Sequence, residues 1–395
     1  MTRSRRNLCV ALLVVLGFSL GCSEFVVIGI EPELARSFDV SLARVGELIS
    51  SFALTYAVAT PALALSTGRF RRYQLLVAYS ALFCAGNVVA ALSTSFEVLL
   101  ASRVVIGAVS GALLAVGVTY LPELVDDERR VPIAISVVYA AFSVAMVIST
   151  SLAKMVADAF GWHLALEATL VLAVVTCVAL VAVLPRSGAT DEPATVREQA
   201  VILREPVVLS GMAIFVFGVG AVYTFYGYIT PYLEQVLGMD TAAASATLMA
   251  YGFMTLASNL IAGWLDARFG MRSHLVTFPL QAILLVLLSL VGPAMPAALV
   301  VILAIGLSMY LLSVPVISMF MRLATERHPK ALTLASSLEH MAFNVGIAFG
   351  TAVGGAVVSG PGMGVTGYVG AAFSLFACAL SALTIRLNRR AEHLQ

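Results

Sequence analysis

Twelve stretches of predominantly apolar residues run the length of this chain, near 8–30, 45–66, 74–93, 97–120, 132–156, 163–184, 207–230, 242–264, 274–292, 296–321, 331–359 and 365–386. Each is about 20 residues long, enough for an α-helix to cross the hydrocarbon core of a bilayer. Inside that core the backbone must satisfy its own hydrogen bonds, so such stretches specify helices. The expected fold class is an all-α integral membrane protein of twelve transmembrane helices, with the lipid bilayer as its first partner. Composition agrees: 60% of the residues are hydrophobic, 11% are charged and the mean hydropathy is +0.98. Soluble domains are roughly 45 to 50% apolar.

The same composition removes several functions. Cys9, Cys22, Cys84, Cys177 and Cys378 all fall in apolar segments without a CxxC pair or a nearby His, so neither disulfides nor a metal are expected. A net charge of +1 gives no basic surface for nucleic acid. No Gly-rich phosphate loop appears, and no nucleophile and base, cofactor loop or catalytic group can be assembled from the spans. The expectation is therefore a protein that is not an enzyme and carries no cofactor. Arg3, Arg5 and Arg6 followed by an apolar run to Cys22 imitate a lipoprotein signal. The run continues to Ile30, however, and reads as the first span.

The longest polar stretch, RSGATDEPATVREQAVILREP at 186–206, is rich in Pro, Gly and charge and reads as a linker. It divides the chain into halves of six spans, 1–185 and 207–395. Nineteen of the 23 Lys and Arg lie in segments on the side of the N-terminus, three (Arg36, Arg44, Lys154) lie on the other, and Arg103 lies within a span. This bias places both termini in the cytoplasm. The second and eighth spans each end in a basic turn, TGRFRRYQL and GWLDARFGMRSHL. Two six-span halves with matching turns suggest the parallel repeat of a secondary transporter, in which one half rocks on the other.

Charges deep in a span cost roughly 2.5 to 3.5 kcal/mol on insertion scales and usually face water or a partner. By these boundaries the deep ones are Glu24, Arg103 and, nearer the inner edge of the eleventh span, Glu339 with His340. Glu24 sits about five residues and Arg103 about six residues outward of the middle of their spans, or roughly 7 and 9 Å. At matching depth, a carboxylate and a guanidinium facing one another across a hydrated cavity offset each other's burial. Such a pair is a workable proton carrier, and a fixed ion pair that only orients two helices is the alternative. Glu31 and Glu33 are expected at a solvated helix end marked by Pro32. Lys154 and Asp158, four apart, read as a surface pair with a snorkelling lysine and no transport role. Glu339 suits a gate and a solute contact equally.

The run VYTFYGYITPYLEQ at 222–235 sets Tyr223, Phe225, Tyr226, Tyr228 and Tyr232 in the outer half of the seventh span. An interfacial belt accounts for some of these rings, and a ring facing a cavity could stack on a flat or apolar solute. Tyr223, Tyr226 and Tyr228, with Tyr56, Asn259, Glu339 and Asn344, are the candidate solute contacts.

These segments together resemble the major facilitator superfamily, and within it the twelve-span drug:proton antiporters of the bacterial arabinose-efflux-permease and purine-efflux-like group. SEFVVIGIEPELARSFDVS at 23–41 is similar to that group's first span and following loop, which carry a Glu at the place of Glu24. LLASRVVIGAVSG at 99–111 resembles the fourth-span motif, whose Arg matches Arg103 and is associated with proton coupling. YITPYL at 228–233, SNLIAGWLDARFG at 258–270 and FNVGIAFGTAVGG at 343–355 look like the seventh, eighth and eleventh spans. Two motifs depart. Gly68 stands where the loop after the second span has an Asp, and Ser149, Ser151 and Ala153 stand where the fifth-span motif has Gly, Pro and Gly.

The resemblance implies a major facilitator fold in a bacterial inner membrane, acting as a monomer on a small-molecule substrate and protons, with a gating loop of Arg69, Arg71 and Arg72 repeated as Asp266, Arg268 and Arg272. The function expected is proton-coupled efflux of a small organic solute or drug, with Glu24 and Arg103 coupling it. A facilitator or proton symporter on the same fold is the first alternative, and a non-transporting membrane sensor the second.

Overall fold

The computed structural model describes residues 3–66, 70–125, 130–186, 198, 200–328 and 331–393. Among them, eleven stretches are long and apolar enough to cross a membrane, and the 51-residue stretch Thr241–Val291 holds two helices, Thr241–Phe269 and His274–Val291. Twelve spans result, and the protein is a multi-pass membrane protein. The first six are Arg3–Gly29, Leu42–Ser66, Arg72–Ala91, Phe96–Val118, Val131–Phe160 and Trp162–Val183. The fifth runs further than its apolar pattern suggests and turns straight into the sixth at Gly161, whose φ of 93° needs a residue without a side chain. The inner side is the one that carries the positive-residue bias, and the outer side lies across the bilayer from it.

Two later spans are broken. The seventh runs Pro206–Tyr226, turns at Gly227 and Tyr228, and resumes as Ile229–Pro231 and Tyr232–Val236. The tenth runs Met295–Ser308 and resumes as Ser313–Arg327. A proline follows each break, Pro231 and Pro315, and its ring nitrogen has no hydrogen to give the carbonyl four residues back. The last two spans are Leu332–Ser359 and Thr366–His393.

Packing repeats with a period of six spans. The first span packs on the fifth and sixth, the second on the fourth, and the third on the fourth and sixth. In the second half, the seventh packs on the eleventh and twelfth, the eighth on the tenth, and the ninth on the tenth and twelfth. The halves meet chiefly where the second span lies on the eleventh and the fifth lies on the eighth. Glycines make close approaches at the corresponding helix pairs of the two halves. A Cβ on Gly21 of the first span would come within 2.7 Å of the Ala145 Cβ, and one on Gly346 of the eleventh within 2.8 Å of the Val219 Cβ. Close small-residue approach is how helices gain packing in lipid, where no hydrophobic difference drives them together. The outward stripe Val171, Val175 and Val178 of the sixth span is more than 60% exposed, as a lipid-facing surface should be.

The turn expected as a gate is only partly described, since Arg69, like Gly68, lies outside the described residues. Arg71 is exposed. Arg72 donates to the Thr119 carbonyl at 2.8 Å and pairs with Glu123, tying the start of the third span to the end of the fourth. Asp266 accepts from Ser318 at 2.6 Å, tying the eighth span to the tenth. Arg268 lies 5.7 Å over the Trp264 ring, and Arg272 is exposed. Each described tie stays within one half.

Candidate functional site

Arg103 projects from the fourth span into the first and second. Its Nε donates to the Leu48 carbonyl at 3.3 Å and its Nη2 to the Glu24 carbonyl at 2.9 Å, and its Nη1 donates to the Ser23 carbonyl. Its central carbon lies 4.4 Å above the Phe52 ring, a cation–π contact. Arg103 is 2% exposed, and its planar fork is spent on main-chain oxygens of two helices. Carbonyls have a second lone pair beyond the one used inside a helix, which is what makes this staple possible.

Depth sets a carboxylate and a guanidinium across a cavity from one another, and the structure adds which atoms the fork reaches. Glu24 and Arg103 do share one pocket, but among the described residues no ion pair joins their side chains, and Glu24 Oε2 has no hydrogen-bond partner. The depth argument fixes height along the membrane normal and cannot say which atom of Glu24 the fork reaches. The pocket has room for about one water. It is lined by Glu24, Phe25 and Ile28 of the first span, Ile49, Phe52 and Ala53 of the second, Arg103, Tyr223 of the seventh and Ile347 of the eleventh. Both halves contribute to it. Behind Glu24, Ser23 donates to Asn87 at 2.6 Å and Ser149 to the Cys22 carbonyl at 3.1 Å, so the altered fifth-span motif has become a polar staple to the first span.

Inward of Glu24 lies a group that the sequence only partly suggests. Glu24 is within electrostatic reach of His340, Tyr56, Tyr223 and Tyr310. Glu339 Oε2 is 2.9 Å from His340 Nδ1, and the imidazole lies 4.8 Å from the ring of Tyr139 in the fifth span. Tyr310 stacks on Phe343 with centroids 5.4 Å apart and planes 7° apart. Asn344 donates to the His340 carbonyl at 3.0 Å, and its Oδ1 has no partner among the described residues. Side-chain exposure rises inward: Glu24 is 6% exposed overall, against side chains of 17% for Glu339 and 33% for His340. Tyr139 and Tyr310 carry no sequence motif; only the crossing of the fifth and tenth spans with the eleventh puts them here.

The other aromatic candidates divide. Tyr223 lines the pocket, Tyr226 is buried and stacked on Tyr251 at 4.9 Å, and Tyr228 donates to the Thr351 carbonyl at 2.9 Å while its hydroxyl presses on Gly46 of the second span. Tyr228 thus fills the seam between the halves rather than a chamber. Asn259 is half-buried, and among the described residues no contact ties it to the group around Glu24.

At the outer end the two halves are clasped. Lys154, taken from sequence as a snorkelling surface lysine, is fully buried, and its Nζ contacts Glu33 at 3.0 Å, Asp158 at 2.6 Å and Glu234 of the second half. Thr241 bonds Asp158, and Thr230 donates to the Ile28 carbonyl at 2.5 Å, both across the seam. The i,i+4 spacing correctly pairs Lys154 with Asp158 but cannot reveal that the seventh span brings Glu234 to the same ammonium. The three carboxylates have the spacing of a cation site, and the ammonium is its cation. Glu31, expected at a solvated helix end, is fully buried, and among the described residues neither of its carboxylate oxygens has a hydrogen-bond partner, because the helix Glu31–Phe38 packs on the second span and on the Ile229–Pro231 segment of the seventh.

The sequence profile of the Major Facilitator Superfamily matches residues 13–336. The chain is 28% identical over 393 residues to the uncharacterized MFS-type transporter YtbD of Bacillus subtilis, covering 99% of both chains. It is 30% identical over 351 residues to the inner membrane transport protein YdhP of Escherichia coli K12, covering 88% of both. In fold it is similar to a bacterial homolog of the human lysosomal transporter Spinster, solved in an inward-facing and occupied conformation, with a TM-score of 0.77 at 15% identity over 98% of both chains.

Proposed function

Because the chain belongs to the Major Facilitator Superfamily and is a membrane transporter acting on a small molecule, we propose that it is a proton-coupled exporter of a small organic solute in a bacterial inner membrane, working as a monomer. The observation that carries this reading is Glu24, a carboxylic acid turned into a pocket between the halves with one oxygen unpartnered and a fixed cation beside it. A group so placed exchanges a proton when one or the other side admits water, and its charge alters the contacts between halves. That is the differential interaction any coupled switch requires. Arg103 acts as the fixed positive charge against which Glu24 titrates, and its backbone staple keeps that charge in place whichever form Glu24 takes.

The solute site of this reading is the inward group of Tyr56, Tyr139, Tyr310, Glu339, His340 and Asn344, reached from the inner side while the outer clasp is shut. Ring faces suit a flat or apolar solute, and the free Asn344 oxygen accepts one donor from it. Drugs of the chloramphenicol type, purine-type nucleobases or nucleosides, and sugars are the classes to screen, by thermal shift of the purified protein. Direction is tested in proteoliposomes loaded with a hit and given a pH gradient of either sign. Exchange of protons for solute supports export by antiport; movement of both in the same direction favours a symporter, and indifference to the gradient a facilitator. The facilitator reading has one observation of its own: Arg103 is bonded to main-chain carbonyls of the first and second spans, a structural role that needs no proton.

A further inference from the structure

We propose that Glu31 is a second proton site, set in the outer seam, which takes up a proton from the outer aqueous phase whenever the outer ends of the two halves close. This rests on the alternating motion of the halves in the reading above but not on any coupling role for Glu24.

Glu31 opens the helix Glu31–Phe38, which lies over the second span and against the Ile229–Pro231 segment of the seventh. It is 0% exposed, and neither carboxylate oxygen has a hydrogen-bond partner among the described residues. The charged and titratable groups of the surrounding elements are all committed elsewhere. On its own helix, Glu33 pairs with Arg36 and Lys154. Arg44 and Glu47 of the second span pair with each other, and Lys154 and Asp158 of the fifth belong to the clasp together with Glu234 of the seventh. The phenols of Tyr226 and Tyr228 lie within electrostatic reach of Glu31, but the Tyr228 hydroxyl donates to Thr351 and that of Tyr226 is engaged with Thr150. Glu24 lies deeper in the first span, turned to its own pocket.

A carboxyl in this setting has no donor and no cation to stabilise its charge, so it keeps its proton. Burial, and after it the charge of Glu33, hold Glu31 well above the usual carboxylate range. When the outer ends part and water enters, its proton affinity falls toward that of a free glutamate, near 4.3, and the proton returns to the side it came from. Closure therefore binds a proton without carrying it across. Because the raised value belongs to the closed state, closure is favoured at low outer pH and weakens as pH rises. Glu33 acts in the same sense: burial chiefly, and its bond to Asp158, push it up to about 7 against the opposing pull of Lys154. An acidic exterior thus holds the outer seam shut, biasing the protein toward inner access.

The test is the distance across the seam, read by spin labels on exposed Ser37→Cys and Ala242→Cys in lipid nanodiscs, between about pH 5 and about pH 9. In the otherwise unchanged protein, the ratio of closed to open should fall with pH, by as much as about tenfold per unit for each proton released. Glu31→Gln, neutral at every pH, should remove about one proton from that slope, and Glu31→Leu should do the same if the amide disturbs folding. Glu33→Gln should remove a smaller part and Glu24→Gln should leave the Glu31 component in place. A slope unchanged in both Glu31 variants, or a parent protein whose seam ignores pH, overturns the proposal. Since uphill transport is not the readout, loss of the Glu24 reading would leave this result standing, and the reverse also holds.

Discussion

Arg103 holds Glu24 by its main chain: Nη2 donates to the Glu24 carbonyl at 2.9 Å, while the carboxyl Oε2 beside it has no hydrogen-bond partner among the described residues. Position and charge are thereby separated. The fork fixes the first and second spans against the fourth, and the carboxyl is left free to change its protonation without dismantling that joint.

This separation has a thermodynamic signature. Arg103→Lys keeps the charge but cannot span three carbonyls, so it should lower stability by about 2 kcal/mol, the scale of lost charged hydrogen bonds. Made in a Glu24→Gln background, it should lower stability by the same amount to within about 0.5 kcal/mol. Thermal melting of the four proteins measures this. A coupling energy well beyond that margin would mean that the two side chains pair directly.

Solute binding should distinguish the tyrosines. Tyr310→Ala removes a ring from the inward group and should weaken binding by about 1 kcal/mol, roughly fivefold. Tyr228→Ala should leave affinity nearly unchanged and loosen the seam at Gly46. Titration calorimetry with any solute from the screen is the check, and equal losses from both would place the solute at the seam instead.

The outer clasp is a buried ion cluster, and breaking one by removing a single partner costs about 3 to 5 kcal/mol. Lys154→Met should leave Glu33, Asp158 and Glu234 without their common cation and open the outer end. A membrane-impermeant maleimide should then react faster with Thr230→Cys, which is buried in the closed seam. Unchanged labelling would show that apolar packing, not the clasp, keeps the halves together.

Orientation is tested in the same chemistry. Reagent added outside should label Ser37→Cys and Pro361→Cys and spare Arg268→Cys. The reverse pattern would invert the topology drawn from the positive residues and exchange the inner and outer sides.

The spans were legible because an unbroken apolar stretch of about 20 residues can satisfy its backbone in hydrocarbon only as a helix, so apolar length gives helix position to within a few residues. The depth match of Glu24 and Arg103 was legible for the same reason: rise per residue is fixed. What pattern could not supply was rotation and partner. The carbonyls of Ser23 and Leu48 have no side-chain signal, Glu234 meets Lys154 only through the packing of the two halves, and Glu31 is buried because a short helix starting there packs on the second span and the seventh. Tyr139 and Tyr310 fill the inward group from spans whose sequences mark them as ordinary aromatic positions. The gate motif was legible as a motif, yet its described members tie helices within a half.

The central claim is that Glu24 carries the coupled proton. Glu24→Gln preserves the shape of the side chain and cannot release a proton. In proteoliposomes with an imposed pH difference, the variant should exchange labelled solute across the membrane at a rate near that of the parent protein and fail to accumulate it against a gradient. Accumulation equal to the parent's, with the same dependence on the pH difference, would contradict the account and leave Glu24 a structural neighbour of the Arg103 staple.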